Sequence, residues 1–251
     1  MLVAVPLVGI AIVLWRVIPE DHARHITPSQ ALRVFDHHLR QRSGFANGGN
    51  WSELGVYRYA TRGGEEIDAL LDKSHDYDGL STVTLWPGEC GLVERWQVLA
   101  ARWSETETCH APSGREETHS LREFHEFFDV SQEDAFECDG PSTLSVARHE
   151  PTRPVTSVCR SPATEVTSTI EVVGVRRTAV GGEAVTAVYM EGESKARGES
   201  TGAAKFSEWR RRRDGLLLRR EVRGVVDSEA NGGFGYREGY TLQLISLTPE
   251  R

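Results

Sequence analysis

Residues 198–202 read Gly-Glu-Ser-Thr-Gly and match the G-x-S-x-G pattern that presents a nucleophilic serine. That chemistry needs Ser200 on a sharp strand-to-helix turn, with an acid and then a histidine later in the chain. The last histidine is His149, so no base follows Ser200, and a polar loop is the expected reading. His75, His110, His119 and His125 fall in one half of the chain but show no H-x-x-x-H or His–carboxylate spacing, which points to structural rather than metal-binding histidines. Asp76 and Asp78 flank Tyr77 before Gly79, and read as turn residues because the other oxygen ligands of a calcium loop are missing. The expectation is a protein with no catalytic, cofactor-binding or metal-binding residues, and not an enzyme.

One charged group stands out. Arg210, Arg211, Arg212 and Arg213, joined by Arg219, Arg220 and Arg223 across the Asp214-Gly215 turn, form a basic cluster in a chain of net charge −8. Its functional reading is contact with anionic lipid headgroups or an acidic envelope polymer. Its structural reading is a solvated strand edge whose charges discourage edge-to-edge pairing. The overall acidity argues against nucleic acid as a partner. Trp86, Trp96, Trp103, Trp209, Tyr57, Tyr59 and Tyr189 lie on predicted strands and are expected mostly in the core, with a minority lining a groove.

The four cysteines, Cys90, Cys109, Cys138 and Cys159, show no C-x-x-C spacing, which disfavours a zinc site or a redox pair and favours disulfides in an oxidising compartment. Cys90 and Cys109 are placed to close the open end of a hairpin that turns near Ala100-Ala101. A looser, proline-containing region, 131–162, carries Cys138 and Cys159, which would tie it down.

These residues need elements to hold them. Leu2 to Leu14 is an apolar run, expected to be part of an uncleaved membrane anchor over 1–19 with the remainder exported. The arginines at 16, 24 and 33 oppose that orientation under the positive-inside rule, whereas the cysteines support it. Within the 20–50 segment, Thr27-Pro28-Ser29-Gln30 begins an amphipathic helix running to about Arg42, with Leu32, Phe35 and Leu39 on one stripe. From Trp51 to Arg251 the period shifts to two, with Gly63-Gly64 and Gly181-Gly182 expected as hairpin turns in an antiparallel β domain.

The segments GVYRYATRGGEE, HDYDGLSTVTLW, CGLVERWQVLAARW and WRRRRDGLLLRRE, with the terminal YREGYTLQLISLTP, resemble a set of actinobacterial membrane-anchored extracytoplasmic proteins with no assigned activity. More distantly, Trp209, Asp214, Gly215, Leu216, Leu218 and Arg219 are similar to a motif near the end of the half-barrel of lipoprotein carriers and sigma-regulator sensor domains. That resemblance implies a sheet curled around an apolar hollow that takes acyl chains or a protein partner. The expected fold is mainly β (α+β): a membrane helix, one amphipathic helix, and a curved sheet or half-barrel of about ten strands. The expected function is a non-enzymatic, single-pass membrane-tethered domain binding a lipid-like ligand or envelope component. The alternatives are an interaction or sensor domain with a filled core and, third, an unrecognised hydrolase.

Overall fold

The computed structural model describes residues 23–41, 51–68, 73–127, 130–228 and 234–251. The expected anchor at 1–19 and most of the linker after the helix lie outside these residues. Among the described residues no helix is long and apolar enough to cross a membrane. The elements are α1 (Pro28–Gln41), β1 (Gly55–Asp68), β2 (Lys73–Asp76), β3 (Gly79–Pro87), β4 (Gly91–Leu99), β5 (Arg102–His110), β6 (Glu116–Phe127), β7 (Val130–Asp139), α2 (Thr143–His149), β8 (Val155–Arg160), β9 (Thr164–Val180), β10 (Glu183–Gly198), β11 (Ser200–Arg211), β12 (Leu217–Ser228) and β13 (Phe234–Leu244).

The strands pair antiparallel in near-sequential order, and β13 returns to pair with β1, making a closed barrel of 12 strands with β2 as an extra strand. The expected open half-barrel of about ten strands is therefore corrected to a closed barrel. Closure depends on β1. Gly63-Gly64 is not the expected hairpin turn; β1 runs through it, pairing with β3 and then β2 on one side and with β13 on the other. Gly63 sits at φ +116°, and a Cβ there would collide with the carbonyl oxygen of Gly239 on β13. The glycine pair thus permits close strand approach where a side chain would hold the last strand away. Gly181-Gly182 does form the expected hairpin, between β9 and β10.

The weakest join is between β7 and β8, which share only the pairs Glu137–Arg160, Cys138–Cys159 and Asp139–Val158. A disulfide links the middle pair. The region 131–162, expected as a looser loop, is instead β7, α2 and β8. Ser142 caps α2 by accepting from the Ser145 N–H at 3.1 Å, and Glu150 ends it in the left-handed region at φ 45°. α2 packs Val146 and Ala147 against Ile170, Val188 and Met190 of the opposite wall, so it acts as a plug in the lumen. The second disulfide, Cys90–Cys109, closes the open end of the β4–β5 hairpin as expected.

α1 covers the outside of the wall. Ala31 and Phe35 are buried against Val56, Trp86 and Val93, which alternate with lumen-facing Tyr57, Leu85 and Leu92, and His38 stacks on Trp86 at 4.6 Å. Leu39, at the end of the expected stripe, stays exposed.

Because Cys138–Cys159 pins a three-pair seam and closes a 21-residue loop, its replacement in Cys138→Ala/Cys159→Ala removes about 3 kcal/mol of stability in chemical denaturation. Hydrogen exchange will speed up first in β7 and β8. Uniform protection loss across the barrel would contradict a local seam.

Candidate functional site

The lumen is where strand alternation directs the tyrosines, tryptophan and leucines of the core, and it is also where it directs charge. Tyr57, Tyr59, Val83, Leu85, Trp96, Leu216, Leu217, Leu218, Leu242 and Leu244 fill one part, with Trp96 and Tyr240 stacked at 4.4 Å. Beside them Glu94 of β4, Glu208 and Arg210 of β11, and Arg220 of β12 form a neutral box. Arg210 donates from Nε to Glu208 at 2.6 Å and from both terminal nitrogens to Glu94 at 2.8 and 2.9 Å, and Arg220 Nε donates to Glu208 at 2.7 Å. Burial alone would push the Glu208 carboxyl up, but the charges of Arg210 and Arg220 and their hydrogen bonds outweigh it and hold it at about 2.

Farther along the lumen Glu65 of β1 accepts from three elements. His75 Nδ1 lies 2.7 Å away, His125 Nδ1 3.2 Å, and the Tyr236 hydroxyl donates at 2.8 Å. Arg102 of β5 donates to both oxygens of Glu238 at 3.0 and 3.3 Å, and Tyr77 donates to the same carboxylate at 3.0 Å. Burial opposes ionisation of Glu65, yet the hydrogen bonds from His125 and His75 and the charge of Arg102 hold it below the usual carboxylate range. Burial and Arg102 push the His125 imidazole down, but hydrogen bonds to Glu123 and Glu65 prevail and raise it. These groups satisfy one another. Among the described residues the one buried side-chain polar atom without a partner is Arg95 Nε, outside this cluster.

Between the box, α2 and the Cys138–Cys159 seam remains a cavity of about 150 Å³, lined by Thr106, Thr108, Thr118, Ser157 and Ser168 together with Leu121, Leu144 and Phe206. The outer wall carries a larger concavity of about 810 Å³ where β12, β13, β1 and β2 meet, over the facing pair Gly64 and Gly239.

The seven arginines singled out in the sequence do not share one face. Arg210, Arg211 and Arg220 lie in internal or partly internal ion pairs, Arg211 with Asp214 at 2.7 Å. Arg212 pairs with Glu150 beyond α2, Arg213 with Asp214, and Arg219 with Glu221 while lying over the Trp209 ring. Arg223 is exposed beside the outer groove. Ser200 opens β11 after a tight β10–β11 turn, so its surroundings are strand–turn–strand, and no histidine lies on β9, β10 or β11. Asp76 and Asp78 are turn residues as expected: Asp76 accepts from the Asp78 N–H, and Asp78 from the Gly63 N–H. His119 lies near the sulfurs of Cys90 and Cys109, but those sulfurs are bonded to each other. The sequence reading passed over Glu65, Glu94 and Glu208. Their signal was a charge in phase with the apolar alternation, as in Leu92-x-Glu94-x-Trp96.

No family model matches the chain, and no curated protein does. Two solved structures align with it. One is the hypothetical lipoprotein YmcC from Escherichia coli, at TM-score 0.34 and 12% identity over 91% of this chain and 100% of that one. The other is an inferred lipoprotein from Parabacteroides distasonis, at TM-score 0.32 and 11% identity over 78% of this chain and 97% of that one. At these scores no property of either is carried over. The two disulfides are what indicate an extracellular or envelope address.

Two measurements check the lumen. Arg102→Met leaves the buried Glu65 and Glu238 carboxylates without their cation and is expected to cost about 3–5 kcal/mol in denaturant unfolding; a cost under about 1 kcal/mol would show the cluster is not desolvated. The stabilisation from His125 is complete below the ordinary histidine value of about 6.5 and lost as pH rises through its raised one. That from Glu208 is complete above about 4.5 and lost as pH falls towards about 2. Stability should therefore decline on the alkaline side in the parent, and His125→Gln should flatten that decline; an unchanged slope would exclude His125 as its source.

Proposed function

We propose that this chain is a non-enzymatic recognition domain, tethered to a membrane through residues 1–19 with its barrel on the oxidising side, that engages an envelope component through its outer surface. The observation that carries this reading is the occupancy of the lumen. Aromatic packing, two ion-paired clusters and the α2 plug leave a cavity of about 150 Å³, while pockets for drug-sized ligands span roughly 300–1,000 Å³. Its lining mixes Leu121, Leu144, Ile170 and Phe206 with hydroxyls and the charged Glu94, Arg210 and Arg220, so an acyl chain inside would bury those polar groups against hydrocarbon. This favours the filled-core alternative over a lipid-like ligand held inside.

The non-enzymatic part rests on mutual satisfaction of the buried acids and bases, since a general base needs a free lone pair aimed at a substrate. Native mass spectrometry of the full chain after gentle detergent extraction tests the proposal. A bare chain mass is expected. One lipid retained per chain, and displaced when Thr118→Trp fills the cavity, would overturn it.

A further inference from the structure

The cavity left inside the barrel has a lining of two kinds. Thr106 and Thr108 on β5, Thr118 on β6 and Ser157 on β8 bring hydroxyls to it, with Thr108 directly opposite Thr118 in the β5–β6 register. None of these four hydroxyls makes a hydrogen bond among the described residues, whereas the neighbouring Ser168 pairs with Ser194 at 2.7 Å. They are not sealed in packed protein either, since the one buried side-chain polar atom without a partner is Arg95 Nε. The second kind is hydrocarbon, from Leu121, Leu144, Ile170 and Phe206. Glu94, Arg210 and Arg220 of the ion-paired box also border the space; with Glu208 their charges sum to zero and are paired with one another.

We propose that this cavity binds a small neutral polyol, of about three or four carbons, with adjacent hydroxyl groups. A hydroxyl both donates and accepts, so unpaired threonine and serine hydroxyls match a ligand that carries the same group. Water alone answers only part of the lining. An ordered water needs about two to four polar partners, and positions against Leu121, Leu144 and Phe206 offer fewer. A polyol turns its C–H groups to that hydrocarbon and its hydroxyls to the threonines. A charged ligand gains nothing from a box whose charges cancel, and it would lose its hydration. Size sets the upper limit: a cavity of about 150 Å³ takes a molecule the size of benzene, roughly six non-hydrogen atoms. Glycerol is of that size, and a hexose is about twice it. The inference goes beyond the surface reading above and does not depend on it, because a polyol is neither an outer-wall partner nor a retained lipid.

Methyl-detected NMR titration of the full chain in neutral detergent tests the site, with glycerol and propan-1-ol as probes of matched carbon chain and different hydroxyl content. Glycerol is expected to shift the methyl resonances of Leu121, Leu144 and Ile170 saturably, and to bind about fivefold more tightly than propan-1-ol, the order of one or two net hydrogen bonds. Thr108→Val/Thr118→Val removes two hydroxyls at nearly constant shape, and neither hydroxyl holds a partner in the chain, so the variant is expected to fold. In it the preference reverses in favour of propan-1-ol. Ser157→Ala carries the same test separately: glycerol weakened about threefold and propan-1-ol unchanged. Shifts that grow with glycerol without saturating describe a hydrated void and overturn the site. A preference for glycerol that survives both variants overturns it as well.

Discussion

A carboxylate removed from water must find a cation, and this requirement governs the barrel more than its apolar packing does. Twelve strands enclose more space than leucine and tyrosine side chains fill here, and the remainder is occupied by Glu94, Glu208, Arg210 and Arg220 in one group and Glu65, Glu238, Arg102, His75 and His125 in another. Each group draws its members from strands far apart in sequence: Arg210 reaches Glu94 across 116 positions, and Arg102 reaches Glu238 across 136. The ion pairs are therefore links across the lumen as well as fillers of it. Such pairs add specificity more dependably than net stability, because their desolvation cost is large and only complete pairing repays it.

The same constraint divides inside from outside. Arginines drawn into the lumen are neutralised there and are unavailable to a partner, while those on the opposite phase of β12 lie at the surface, Arg219 paired there with Glu221. β12 shows both: Arg220 pairs with Glu208 inside, and Arg223 stands unpaired beside the groove. Recognition at the outer wall and rigidity of the interior then arise from one alternation pattern. The two disulfides hold the places where backbone pairing is thinnest or open, the β7–β8 seam and the mouth of the β4–β5 hairpin.

Much of this was legible in the sequence, for local reasons. The capped helix at Pro28, the Gly181-Gly182 hairpin, the Cys90–Cys109 hairpin and the β content follow from patterns a few residues long. Closure was not, because the pairing of β1 with β13 joins Tyr59 to Leu244 and leaves no short-range mark. Gly63-Gly64 carries the composition of a turn and is used instead for close approach of two strands. The arginine cluster misled for a related reason. A linear run of charge on a strand cannot be one face, since successive residues point to opposite sides, and the bulge at Trp209/Arg210 shifts the phase again. Phasing Glu94 and Glu208 with their apolar neighbours would have located the buried partners.

The most direct test of a self-neutralised lumen is a double-mutant cycle between Glu208 and Arg210. The account predicts that Glu208→Gln and Arg210→Met each destabilise the fold, and that the double variant is less destabilised than the sum by more than about 1.5 kcal/mol, since each single change strands a buried partner. Additive losses within about 0.5 kcal/mol would mean the pair is hydrated and uncoupled, and would contradict the filled lumen on which the surface reading stands.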